Sequence, residues 1–132
     1  MALISLDTNV VVYAFQAGAR QDRALAILDE HPLVSVQVLN EYAHTSRRKF
    51  GRDWNDIVRD LEVVRSLAAR IDPVRDEANR AALGIAGHYR LAFYDSLIIA
   101  VALAGGANTL YSEDMQHGLV IDGTLRIVDP FR

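Results

Sequence analysis

The sequence contains no cysteine. Disulfides, thiolate metal ligands and a cysteine nucleophile are therefore excluded, and a reducing cytoplasm is the expected setting. Lysine is almost missing too. Of 14 basic residues only Lys49 is a lysine, and arginine supplies the rest. Guanidinium groups suit bidentate contact with phosphate or carboxylate. Long apolar runs are lacking: the longest, Leu97 to Ala104, falls well short of the roughly 20 residues that a membrane span needs. It reads as a buried core helix. The start, MALISLDTN, has neither the basic n-region nor the apolar h-region of a secretory signal. There is no excess of positive charge, the formal net charge being −3. That argues against a passive binder holding nucleic acid by bulk electrostatics. A metal-dependent enzyme stays open, because bound cations would offset clustered acids.

What is present is ordinary for a globular protein. The 132 residues are 51% hydrophobic and 23% charged, which suits a single domain over residues 1–132 burying roughly two thirds of its unfolded surface. Leu3-Ile4-Ser5-Leu6 is an apolar strand candidate ending at Asp7, followed by a helix over Val10 to Phe15. Asp22 to Glu30 places Ala24, Ile27 and Leu28 on one helical face. Leu33-Val34-Ser35-Val36 is a second strand, with Ser35 set to cap a helix through Val38, Leu39, Tyr42 and Ala43. Trp54 to Ala69 is amphipathic and helical, and Arg70-Ile71-Asp72 is a third strand. Asp76 to about Tyr89 forms a helix leading to the apolar helix after Asp95, which Gly105 and Gly106 end. Thr109-Leu110-Tyr111 and Leu125-Arg126-Ile127-Val128 complete four to five short strands. Alternation of short apolar strands with helices predicts an α/β fold, its mostly parallel sheet covered on both faces.

In such sheets ligands gather beyond the carboxyl ends of the strands. Asp7 ends the first strand and Asp114 follows the fourth, so both point to one rim. Glu41 lies in the first two turns of the helix after the second strand, and Asp95 opens the apolar helix. Each has an ordinary alternative: Asp7 and Asp95 as helix caps, Glu41 paired with Arg48, Asp114 as a solvated loop acid. Their conjunction points elsewhere. Three or four carboxylates brought together repel one another unless cations lie between them. Oxygen ligands of this kind suit Mg²⁺ or Mn²⁺, which activates water and stabilises the charge of a phosphodiester transition state.

The segments LDTNVVVYAF, VSVQVLNEYAH, YDSLIIAVAL and LYSEDMQHG resemble, in order, the four acidic motifs of PIN-domain ribonucleases. The likeness is nearest to the VapC-type toxins of type II toxin–antitoxin systems and covers nearly the whole chain. It implies a three-layer α/β/α fold and a metal-dependent endoribonuclease leaving a 5′-phosphate and a 3′-hydroxyl. Carried over motif by motif, the acids are Asp7, Glu41, Asp95 and Asp114. Asp7, Asp95 and Asp114 would hold Mg²⁺ or Mn²⁺ directly or through water, and Glu41 would bind metal or orient the water. Thr8 and Asn9 match the small polar positions after the first acid. Ser112 matches a hydroxyl position more often filled by threonine. The resemblance further implies an RNA substrate, a small cognate antitoxin and a homodimer.

Arg47, Arg48, Lys49 and Arg52 form the one dense basic stretch. They are candidates for contact with RNA phosphates, or else cations complementing a helix C-terminus. His44 and His117 have no matching partner spacing and stay outside the metal set. Glu113 reads as peripheral. An aspartyl-phosphate phosphatase needs a second acid two residues after the first, where this chain has Asn9. A response-regulator receiver needs a late strand lysine, which is lacking. An inactive α/β adaptor would be expected to have replaced an acid, and none is replaced. A housekeeping PIN nuclease without an antitoxin remains the alternative within the same chemistry.

Overall fold

The computed structural model describes residues 2–132. In chain order the elements are β1 (Ile4–Leu6), α1 (Thr8–Ala14), α2 (Gln21–Leu28), β2 (Leu33–Ser35), α3 (Val36–Phe50) and α4 (Trp54–Leu67). There follow β3 (Arg70–Asp72), α5 (Asp76–Tyr89), α6 (Phe93–Ala104), β4 (Thr109–Tyr111), β5 (Val120–Ile121) and β6 (Leu125–Val128). The sheet order is β3-β2-β1-β4-β6-β5, every pairing parallel except the antiparallel β5–β6 edge. Helices and a mostly parallel central sheet make up the expected α/β/α arrangement.

The expected count of four to five strands is corrected to six. The extra strand, β5, is only two residues long, too short to carry any alternation of its own. It is made by a reversal at Asp122 and Gly123, both in the left-handed region at φ 51° and 67°. Consecutive positive φ values are what a hairpin turn requires, and an Asp-Gly pair adopts them readily. Val36, expected to extend the second strand, instead begins α3, because the Ser35 hydroxyl accepts from the Gln37 N–H and ends the strand. At its far end α3 closes on Gly51 at φ 61°.

β1 and β2 are buried at every residue, as expected of strands covered on both faces. Their two serines are satisfied inside: Ser35 as the cap of α3, and Ser5 by donating its hydroxyl to the Leu33 carbonyl at 2.7 Å. Ser96 through Ala102 of α6 are all buried, which makes this helix a core element rather than a surface one. Among the described residues no helix is long and apolar enough to cross a membrane.

Topology sets the position of the site. From β1 the chain steps outward to β2 and β3, then returns to the other side of β1 with β4. The direction of winding therefore reverses between β1 and β4. At such a reversal the loops leaving the two strands diverge and open a crevice beyond their carboxyl ends. Asp7 follows β1 directly, its N–H donating to the Tyr111 carbonyl at the end of β4.

Candidate functional site

A cavity of about 350 Å³ opens at this crevice, and Asp7, Glu41, Asp95 and Asp114 all line it. Four elements deliver them. Asp7 is the N-cap of α1, with one carboxylate oxygen accepting from the Thr8 N–H at 2.7 Å. Its other oxygen accepts from the Ser112 hydroxyl at 2.8 Å and from the Asn9 amide at 3.3 Å. Only 4% of Asp7 is exposed. Capping and site membership are thus the same placement, not rivals.

Glu41 faces the cavity from α3 and does not pair with Arg48. Thr8 donates its hydroxyl to one oxygen at 3.1 Å and Gln37 its amide to the other at 2.9 Å. Asp95 caps nothing: Ala92 is the N-cap of α6, and Asp95 lies within the first turn. Asp114 is exposed, and accepts from the Asn9 amide at 3.1 Å. Asn9 therefore bridges the first and last acids, while its carbonyl oxygen accepts from the Glu113 N–H. Ser112 is fully buried and works in both directions. Its hydroxyl donates to Asp7 and accepts from the N–H groups of Asp114 and Met115 at 3.2 and 3.1 Å.

The electrostatics follow from this geometry. Burial pushes the Asp7 carboxyl up to about 7 against the bonds from Ser112 and Thr8, with Asp95 and Glu41 adding to the rise. Asp95 is also raised, by burial first and then by the charges of Glu41 and Asp114. Carboxylates that raise one another are short of positive charge. Lys49 is the one cationic residue among those lining the cavity, beside Phe50 and Thr45.

The rest of the basic stretch is divided. Arg52 is committed elsewhere, in a two-pronged ion pair with buried Asp60, both bonds 3.0 Å. Arg47 donates to the Arg52 carbonyl and stacks over Trp54 at 5.3 Å. Arg48 is exposed. Only Lys49 reaches the acidic cavity. His117 is held away from it, its Nδ1 accepting from the Asp129 N–H at 2.9 Å.

Sequence reading assigned no supporting role to Gln37 or Arg20. Gln37 sits one helical turn before Glu41, and that spacing was the available signal. Glu113 does not line the cavity; its carboxylate lies 3.2 Å from the Arg20 guanidinium, which stacks over Tyr13 and Phe131. No local pattern links Arg20 to residue 113, so nothing in the sequence announced that contact.

Comparison with known proteins agrees with the fold. A family model described as the PIN domain matches residues 4–118. A toxin–antitoxin complex from Klebsiella pneumoniae contains a chain 17% identical, with 98% of each chain covered and a TM-score of 0.73. VapC20 of Mycobacterium tuberculosis, described as a sarcin-ricin-loop-cleaving toxin, is 22% identical over 81% of this chain and 86% of its own, with a TM-score of 0.67. A chain of VapBC2 from Rickettsia felis, bound to a DNA fragment from its promoter, is 18% identical over 96% and 99%, at 0.69. No functionally curated protein matches the chain significantly.

Proposed function

The chain belongs to the PIN-domain family, and on that premise we propose that it is a metal-dependent endoribonuclease, the toxin of a toxin–antitoxin pair. The observation that carries the reading is the convergence of four carboxylates from four elements on one cavity at the β1–β4 crevice. Buried Asp7 is dressed only with neutral donors and faces other acids. A fold that stabilised itself alone would place a cation there.

The donor set fits Mg²⁺ or Mn²⁺, being all oxygen and mutually repelling. Among the described residues no three acids already close into a ligand shell. Mg²⁺ keeps several waters and needs only one or two direct carboxylates, so an open rim suits it. Asp7, Asp95 and Asp114 would hold the ion directly or through water, with Glu41 binding it or orienting the attacking water. When bound, the ion supplies activation of water and stabilisation of phosphodiester charge.

The remaining work belongs to the chain. Thr8 and Ser112 lock the Asp7 carboxylate, Asn9 ties Asp114 to it, and Thr8 and Gln37 aim Glu41. Lys49 attracts the substrate phosphate into a cavity that would otherwise repel it. Attack of water on phosphorus with cleavage of the P–O3′ bond leaves a 5′-phosphate and a 3′-hydroxyl. Exposed Arg48 would extend phosphate contact beyond Lys49, while Arg47 is engaged with the Arg52 carbonyl and Trp54, and Arg52 is held by Asp60.

The toxin role rests on family membership and on fold likeness to a toxin–antitoxin complex and to an RNA-cleaving toxin. It implies a small antitoxin that covers the acidic cavity, a homodimer and action in the cytoplasm. Purified protein should cleave RNA with Mg²⁺ or Mn²⁺ and stop with EDTA or with Asp95→Asn. Equal cleavage in EDTA would refute the metal-dependent reading. Harmless overexpression with no small neighbouring reading frame would refute the toxin role and leave a housekeeping nuclease.

A further inference from the structure

Beside the acidic cavity lies a second one, of about 550 Å³, lined by Gln37, Asn40, Glu41, His44, Thr45 and Tyr94. The two cavities share Glu41 and Thr45 in their linings, so they adjoin along α3. Gln37, Asn40, Glu41 and His44 occupy one face of α3, at spacings of three, four and seven residues. Tyr94 comes from the first turn of α6, immediately before Asp95. It is 60% exposed, and the Phe93 ring braces it at 5.4 Å and 68°. Nothing in the core requires an aromatic ring at this position.

The chemistry of the second cavity differs from that of the first. None of its six lining residues is a lysine or arginine, so it offers a phosphate no countercharge, and Glu41 repels an anion. Both Glu41 oxygens already accept, from Thr8 and Gln37. What it does offer is an exposed aromatic ring, an exposed amide at Asn40 and an exposed imidazole at His44. A flat, neutral group with a hydrogen-bonding edge fits these. Bases of single-stranded RNA stack on aromatic rings and are read along their edges by amides and imidazoles.

We propose that this cavity is a nucleobase subsite for the nucleotide adjoining the scissile phosphate. The base stacks on Tyr94 and presents its edge to Asn40 and His44. This rests on the ribonuclease reading and adds to it the source of base preference. The shared wall at Glu41 and Thr45 makes the spacing natural: a strand with its phosphate among the acids has its neighbouring base beside α3.

Two measurements test it. Fluorescence anisotropy of labelled single-stranded oligo(rA), oligo(rU) and oligo(rC) in EDTA reads binding without turnover. Mapping of 5′-ends on random-sequence RNA with Mn²⁺ reads base preference. Tyr94→Ala should weaken binding of the preferred homopolymer about tenfold, the scale of one lost base–aromatic stack, and raise KM more than it lowers kcat. Tyr94→Phe keeps the ring and should bind like the wild type. Asn40→Ala and His44→Ala should flatten base preference at one position beside the cut while cleavage continues. A wild type that neither binds nor cleaves RNA overturns the ribonuclease reading, and the subsite with it. A wild type that cleaves, with Tyr94→Ala cutting the same sites at the same KM, overturns the subsite alone. Altered sedimentation of RNA-free Tyr94→Ala with unchanged RNA affinity would give the ring to a second copy of the chain, and also overturns the proposal.

Discussion

Two buried aspartates in this molecule are treated in opposite ways. Asp60, on α4, receives both prongs of the Arg52 guanidinium and the Tyr42 hydroxyl at 2.6 Å. Burial and Asp60 together hold the Tyr42 phenol in its protonated form. Asp7 receives a backbone N–H, a serine hydroxyl and an asparagine amide, and its charged neighbours are other acids. One carboxylate is neutralised by its surroundings, while the other is ordered but left without countercharge. Buried groups are normally paired. A fully built hydrogen-bond shell around an uncompensated charge therefore marks a place kept for something the fold does not itself provide.

The largest expected effect contrasts the two aspartates directly. Asp7→Asn should lower RNA cleavage by on the order of a thousandfold, the scale of losing a preorganised electrostatic group. It should also raise stability by about 1–2 kcal/mol, because active sites commonly trade stability for function. Asp60→Asn should do the reverse: it strands the Arg52 charge, costs about 3 kcal/mol, and leaves cleavage intact below the melting transition. Cleavage assays and urea denaturation on both variants provide the measurements. If the two lose stability alike, the distinction between the sites is wrong.

Divalent ions sharpen the same contrast. A ligand that binds only the folded state adds about 2.7 kcal/mol at a hundred times its dissociation constant. Mg²⁺ or Mn²⁺ should therefore raise the melting temperature of the wild type and of Asp60→Asn, and EDTA should reverse the rise. Asp7→Asn should gain much less from either ion. Calorimetry across an ion titration reads this without any RNA.

Only the Asp7 half of this contrast was legible in the sequence, and the limits are physical. Asp7 and Asp114 follow strand ends, which strand direction in a parallel sheet sends to one rim. Glu41, inside α3, and Asp95, on a helix that follows another helix, needed the packed fold to bring them there. The Ser35 cap could be read because capping is local, whereas the stop of α3 at Gly51 was not read and came only with the structure. β5 escaped notice because two residues have no period, although Asp122-Gly123 was a visible turn signal. Arg52 looked like part of a free basic stretch because its partner is eight residues on, two turns inside the next helix. The Arg20–Glu113 contact depends on chain separation that no local pattern encodes. Gly105 was read as a helix stop, yet it also marks a close approach. A Cβ there would collide with the Leu33 side chain.

The smallest expected effect concerns what holds Asp7 in place rather than Asp7 itself. Ser112 has no exposed surface, and its hydroxyl ties Asp7 to the N–H groups of Asp114 and Met115. Ser112→Ala removes one donor from a buried carboxylate and one acceptor from two backbone N–H groups. Leaving such groups unpaired costs about 1–2 kcal/mol. In the apo protein part of that loss is offset, since Asp7 without Ser112 holds its proton more readily and carries less charge to bury. The net change should therefore be about 1 kcal/mol, smaller than for Asp60→Asn. Cleavage should fall by roughly tenfold, the lower end for a residue that orients a metal ligand, as Asp7 is in the proposed function, and excess Mn²⁺ should restore part of it. Ser112→Thr keeps the hydroxyl and should retain most of the activity. Equal losses in Ser112→Ala and Ser112→Thr would mean that packing around residue 112, not its hydrogen bond to Asp7, sets the site.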